Sequence, residues 1–140
     1  MKKVCIIYTG GTIGMVSGEY GYVSSPTALF EAVESMKDLK KAGMPQIDIV
    51  QFDPLLDSSN MSIPEWNKIG KAINERYDQY DGFVILHGTD TMSYSASALS
   101  FMLENLDKPV VFTGSQIPLC EIRWPEQCTL QYRRIGVLWL

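Results

Sequence analysis

Four short apolar runs set the terms on which this chain can fold. They are residues 4–7 (Val-Cys-Ile-Ile), 47–52 (Ile-Asp-Ile-Val-Gln-Phe), 83–86 (Phe-Val-Ile-Leu) and 110–112 (Val-Val-Phe). Each is too short for a helix and rich in β-branched or aromatic residues, so each reads as a strand. Residues 47–52 alternate, as a half-buried strand does. Residues 82–86 are continuously apolar, as in a strand covered on both faces. Between the runs the period changes to three and four. Leu29, Val33 and Met36 share one helical face, with Thr27 as cap and a stop near Gly43. Trp66, Ile69, Ile73, Tyr77 and Tyr80 form a second stripe, capped by Ser62 or Asn60, with Pro64 in the first turn. A third helix is expected over residues 92–106, apolar nearly all round and rich in Ser and Ala. Strand alternating with helix predicts an α/β fold: an open, mostly parallel sheet with helices on both faces.

Parallel strands joined by right-handed crossovers end on one edge of the sheet, and ligands bind there. The segments just beyond the four runs are Thr9-Gly10-Gly11-Thr12, Asp57-Ser58-Ser59-Asn60, His87-Gly88-Thr89-Asp90-Thr91 and Thr113-Gly114-Ser115-Gln116. All are small, hydroxylated or acidic. One such segment is a turn; four on one edge predict a polar pocket. Each residue also has an ordinary structural reading. Thr12 or Asp90 could cap a helix, and Ser58-Ser59 could be a plain turn. The sole histidine, His87, directly follows a strand and reads as structural. Residues 17–25 form a loop or hairpin whose glycines allow movement, and Tyr20 or Tyr22 could close over the pocket.

The pocket's residue types narrow its chemistry. With one histidine, no cysteine and only Asp57 and Asp90 as carboxylates, no metal site is expected. Neither the Gly-x-x-x-x-Gly-Lys-Ser/Thr loop nor Gly-x-Gly-x-x-Gly occurs, so no nucleotide cofactor is expected. A threonine nucleophile remains, Thr12 facing Thr89-Asp90, with Asp57, Ser58 and Asp90 placed to hold the charged groups of an amino acid. The net charge of −4 and the lack of a basic stripe argue against nucleic acid, and no apolar stretch is long enough to span a membrane. Three cysteines without Cys-x-x-Cys spacing and the absence of a signal-peptide core predict reduced thiols and a cytoplasmic address.

The segments YTGGTIGM (residues 8–15), DPLLDSSNM (53–61) and GFVILHGTDTMSYSASALSFMLENLDKPVVFTGSQIPL (82–119) closely resemble bacterial type I, cytoplasmic L-asparaginases, within the wider family of threonine amidohydrolases. The resemblance covers roughly residues 1–123. It implies hydrolysis of L-asparagine to L-aspartate and ammonia, without a cofactor. It implies that Thr12 is the nucleophile, that Tyr22 assists it, and that Thr89 and Asp90 complete the catalytic set. It further implies that Asp57, Ser58 and Ser59, with Thr89 and Asp90, grip the substrate's α-amino and α-carboxylate groups. Backbone amides of Gly11, Thr12 and Thr89 become candidates for an oxyanion hole.

The chain also departs from that pattern. Family members are longer, form homo-oligomers, and carry a catalytic lysine beyond the matched region; Lys108, the last lysine here, precedes the fourth strand on the opposite edge. The chain alone is therefore expected to be inactive and its assembly is not expected to follow the family's. Residues 124–140 do not continue the family pattern and are expected to be out of frame or truncated, with no strand partner for the apolar residues 135–140. Two alternatives to a hydrolase are a non-catalytic amino-acid-binding remnant and an amidase subunit of tRNA-dependent amidation.

Overall fold

The computed structural model describes residues 1–121 and, as backbone alone, residues 135–139. Strands β1 (Lys3–Tyr8), β4 (Gln46–Gln51), β5 (Gly82–Leu86), β6 (Val110–Ser115) and β7 (Ile135–Trp139) form one sheet in the order β4-β1-β5-β6-β7. β4, β1, β5 and β6 are mutually parallel. Between β1 and β4 lie a separate antiparallel hairpin, β2 (Met15–Gly18) and β3 (Gly21–Ser24), and helix α1 (Ala28–Ser35). Helix α2 (Ile63–Asn74) precedes β5, and α3 (Met92–Met102) joins β5 to β6.

The period of two in the strands sorts the core into two layers. On one face Cys5, Ile7, Phe83, Ile85, Val110 and Phe112 meet α2 through Ile69 and Ile73 and α3 through Met92, Ala96 and Leu99. On the other, Tyr8 and Leu86 pack with Ile13 and with Leu29 of α1. Helices thus cover both faces, as the alternating pattern predicts. Among the described residues no helix is long and apolar enough to cross a membrane.

Local expectations change at each of the three helices. Thr27 holds the N-cap position of the first helix, as expected, but makes no side-chain cap bond; Ser25 Oγ instead accepts from the Ala28 N–H at 3.2 Å. That helix ends at Ser35, and a separate 3-10 turn over Lys37–Lys40 fills the stretch toward Gly43. Tyr77 and Tyr80 lie beyond α2, on and after a 3-10 turn, but still pack on the core, where Tyr77 stacks on Phe83. α3 stops at Met102, four residues before the expected end, and Asn105 takes φ +56, a left-handed value that no helix continues through.

The fourth change concerns the end of the chain. Residues 135–139 do have a strand partner: β7 runs antiparallel to β6, with Ser115 opposite Ile135 and Val111 opposite Trp139. The physical reason is the open edge. Without β7, β6 would present a row of unpaired N–H and C=O groups, and an apolar β-prone segment satisfies them. The reading of the remainder of 124–140 lies outside the described residues.

Candidate active site

The site begins with two adjacent positions that only glycine fills without strain. Gly10 and Gly11 hold φ +142 and +96, values that L side chains rarely adopt. A Cβ on Gly10 would run into the Leu56 carbonyl oxygen, and one on Gly11 would lie 2.7 Å from the Gly88 Cα and N. The end of β1 is therefore in direct backbone contact with the segment after β4 and with the segment after β5. A hydrogen bond of 2.7 Å from the Leu56 N–H to the Thr9 carbonyl completes the first of these junctions. In the second, the Thr9 N–H and Oγ1 both donate to the Leu86 carbonyl, at 3.0 and 2.9 Å.

These bonds separate the roles of the two threonines. Thr9 is fully buried and its hydroxyl is spent on the neighbouring strand. Thr12 opens the 3-10 turn Thr12–Gly14 and lines a cavity. The turn packs from beneath on Tyr8, whose hydroxyl donates to the Gly11 carbonyl at 3.2 Å. Burial pushes the Tyr8 phenol up to about 12, so it stays neutral.

The second segment is tied to the third. Ser58 is buried, and its side chain occupies the space a Cβ on Gly88 would need. Thr91 Oγ1 donates to the Ser58 carbonyl at 2.7 Å. Asp57 Oδ1 accepts from the Ser59 N–H at 2.9 Å. That bond first, and the Ser59 hydroxyl second, hold the Asp57 carboxyl below its ordinary value. Asp57 is therefore an exposed, ionised carboxylate at neutral pH, suited to an ammonium group.

Thr12, Asp57, Ser58, Thr89 and Asp90 all line one cavity of about 260 Å³, together with Gly11, Met15, Ser24, Leu55, Leu56 and Gly88. Such a volume suits a small metabolite. Larger cavities lie elsewhere and none of them includes Thr12 or Asp90. Two carboxylates, two threonine hydroxyls and a serine thus converge from three strand ends, and among the described residues no lysine joins the lining. Among the described residues no group of three or more His, Cys, Asp or Glu comes together to hold a metal ion.

Other expected members lie outside the lining. Tyr22 sits on β3, about half exposed, where its hydroxyl donates to Glu121 at 2.9 Å. Ser59 lies behind Asp57, which it holds. The fourth segment does not reach the cavity, because β6 continues through Thr113 and Gly114 to Ser115. It supports the third segment instead: the His87 N–H donates to the Thr113 carbonyl at 3.0 Å, and Gly114 leaves room for the His87 carbonyl. The N-cap of α3 is Thr91, with no side-chain cap bond, so Asp90 does not cap the helix. His87 is buried beside Phe112, its Nδ1 bonded to the Gly88 carbonyl at 2.7 Å.

Sequence reasoning missed Met15, Ser24, Leu55 and Leu56. Met15 and Ser24 are a cross-strand pair of the hairpin, and pairing across a Gly-rich turn could have suggested them. Leu55 and Leu56 read as ordinary apolar residues, and nothing in the sequence marks them as part of the cavity lining.

The family described as "Asparaginase, N-terminal" matches residues 3–127. The chain is 52% identical to L-asparaginase 1 of Escherichia coli (strain K12) over 129 residues, which is 92% of this chain and 38% of that protein. It is 40% identical to an L-asparaginase of Thermococcus kodakarensis over 123 residues, which is 85% of this chain and 35% of that protein. The crystal structure of L-asparaginase I from Vibrio cholerae superposes with a TM-score of 0.83 at 48% identity, covering 95% of this chain and 40% of that one. The chain thus spans well under half the length of these relatives.

Proposed function

Because this chain belongs to the asparaginase N-terminal family, we propose that its cavity is an L-asparaginase-type amidohydrolase site with Thr12 as nucleophile. The observation that carries the reading is the convergence of Thr12, Asp57-Ser58 and Thr89-Asp90 on one small cavity. The substrate is L-asparagine. Its α-ammonium faces the ionised Asp57, and its α-carboxylate takes hydroxyl and backbone donors from Ser58 and Thr89. This leaves the side-chain amide at Thr12.

In the first step the Thr12 Oγ bonds to the amide carbon. The negative charge on the amide oxygen is held by N–H groups at Gly11, Thr12 or Thr89, in a backbone whose close packing the two glycines permit. The Thr12 proton passes toward Thr89 and Asp90 and on to the leaving nitrogen, and ammonia departs. Water then attacks the β-aspartyl ester, which releases L-aspartate and restores the hydroxyl. Tyr22 assists from the hairpin. Discrimination against glutamine, longer by one methylene, is expected to rest on about 1–3 kcal/mol of fit. The free thiols Cys5 and Cys120 support a reducing, cytoplasmic setting.

The test is ammonia release from L-asparagine by the folded chain, beside Thr12→Ala. Against the inactivity expected from the missing lysine, the reading predicts measurable release, falling at least about a thousandfold in Thr12→Ala while L-aspartate binding persists. One observation favours a second reading: among the described residues no lysine lines the cavity, so the proton relay ends on Asp90. A binding-only site would hold L-aspartate and release no ammonia from L-asparagine.

A further inference from the structure

The segment that carries Thr12 contains a peptide whose direction its own glycines do not set. Gly10 and Gly11 permit the close approach to the neighbouring segments, but a glycine restrains the rotation of the peptide that follows it less than any other residue does. What fixes the Gly11–Thr12 peptide therefore comes from outside it. Its carbonyl oxygen accepts two hydrogen bonds. One, from the Gly14 N–H at 3.3 Å, lies within the turn and travels with it. The other, from the Tyr8 hydroxyl at 3.2 Å, ties the turn to the end of β1. This second bond is long for a hydroxyl donor, and it contributes direction more than strength. Tyr8 is fully buried in the core layer it forms with Ile13, Leu29 and Leu86. Gly14 makes room for it: a Cβ there would run into the Tyr8 hydroxyl. A phenylalanine would fill the same layer with no acceptor needed, so packing by itself does not account for the hydroxyl.

A trans peptide sets its N–H opposite its C=O. With the Gly11 carbonyl turned toward Tyr8 in the core, the Thr12 N–H points away from the core, on the side where Gly11 and Thr12 line the cavity. Among the described residues that N–H donates to no protein acceptor. We propose that Tyr8 is a positioning residue for the reaction. Its hydroxyl holds the Gly11–Thr12 peptide so that the Thr12 N–H faces the oxygen that becomes negative when the Thr12 hydroxyl attacks. The same bond strengthens that donor, because a carbonyl that accepts a hydrogen bond polarises its peptide and makes the N–H more positive. Burial pushes the Tyr8 phenol up to about 12, so at neutral pH it keeps the proton it donates. Of the three candidate N–H groups, Thr12 is thereby the one whose direction is held from the core. The catalytic role rests on the amidohydrolase reading of the cavity; the anchoring of the peptide rests on the hydrogen-bond geometry.

The experiment compares wild type, Tyr8→Phe and Gly14→Ala in the full chain by N–H residual dipolar couplings and by ammonia release from L-asparagine. Tyr8→Phe keeps the ring and removes the hydroxyl. The proposal predicts that the Thr12 coupling changes in Tyr8→Phe while the couplings of β4 and β5 keep their wild-type values. It predicts further that kcat falls about ten- to a hundredfold with KM unchanged, because the held N–H serves the transition state and not the bound substrate. A purely structural role would lower the folded fraction and leave the Thr12 coupling of the folded chain in place. Gly14→Ala, whose Cβ displaces the hydroxyl, gives the same change at Thr12 with the phenol chemically intact. An unchanged Thr12 coupling in Tyr8→Phe overturns the proposal, and so does a loss of kcat/KM that sits wholly in KM. Should Tyr8→Phe lose its fold, Gly14→Ala decides by the same coupling. A wild type that releases no ammonia would sink the hydrolase reading, while the Thr12 coupling still judges whether Tyr8 anchors the peptide.

Discussion

At the scale of single residues, glycines decide the site more than the reactive side chains do. Gly10 and Gly11 allow three segments to meet within backbone contact, and Thr12 inherits its position from them. Gly10→Ala combines a left-handed strain with a collision against the Leu56 carbonyl, so it is expected to cost at least about 1–3 kcal/mol. Chemical denaturation would show the loss, and L-aspartate binding should weaken along with it. His87 makes a different prediction. Its Nδ1–H is donated to the Gly88 carbonyl, and its Nε2 is buried with no partner among the described residues. Burial lowers its affinity for a proton below the ordinary value of 6.5, and the Gly88 bond offsets this only in part. The unfolded chain therefore takes up the proton first, and stability falls as the pH drops below about 6.5. Asp57, Glu65 and Asp81 are shifted below their ordinary values of 3.8, 4.5 and 3.8, so their contributions fade only in more acid solution. Urea midpoints between pH 7.5 and 5 should decline in wild type and decline less in His87→Gln; equal slopes would remove His87 as the cause. That Thr12, Asp57, Ser58, Thr89 and Asp90 border one cavity was legible, because small polar residue types followed strand signals. Leu55 and Leu56 were not, since ordinary apolar residues carry no chemical signal that they border a cavity.

At the scale of elements, pattern and outcome agree where apolar period sets the answer and part where local backbone does. β1, β4, β5 and β6 follow their apolar runs, because burial on one or both faces specifies them. Helix ends were read less well. Thr27 sits at the N-cap of α1 while Ser25 supplies the side-chain bond there, and α3 stops at Met102 although its apolar content runs on to Leu106. Ser62 does cap α2: its N–H and hydroxyl both donate to Glu65, the N–H at 3.1 Å. β6 and β7 show the limit of reading strands singly, since β7 has meaning only as the cover of an edge. The packing of α2 on α3 carries its own test. Trp66 Nε1 donates to Ser95 Oγ at 3.0 Å, and Ser95 is fully buried. Ser95→Ala leaves that indole N–H without its acceptor, an expected cost of about 1–3 kcal/mol with the m-value unchanged. Tryptophan fluorescence of the folded variant should shift as well, because the indole must seek water or a new acceptor.

At the scale of the whole molecule, the sheet acts as a device for bringing distant sequence to one edge. Residues 9–12, 55–58 and 88–91 are adjacent only because β4, β1 and β5 are parallel neighbours. This arrangement was legible, since strand–helix alternation with right-handed connections leaves few other topologies. The pocket's membership was only partly so. Four polar segments follow four strands, yet three form the cavity, because β6 extends far enough to carry the fourth into the sheet. The most direct measurement is a nuclear magnetic resonance titration of the labelled chain with L-aspartate. The account predicts saturable shifts in the amides of Gly11, Thr12, Asp57, Ser58, Thr89 and Asp90 with one common affinity, lost together in Asp57→Ala. Shifts confined to one segment, different affinities among the three, or no saturable response would contradict a single amino-acid site built from three strand ends.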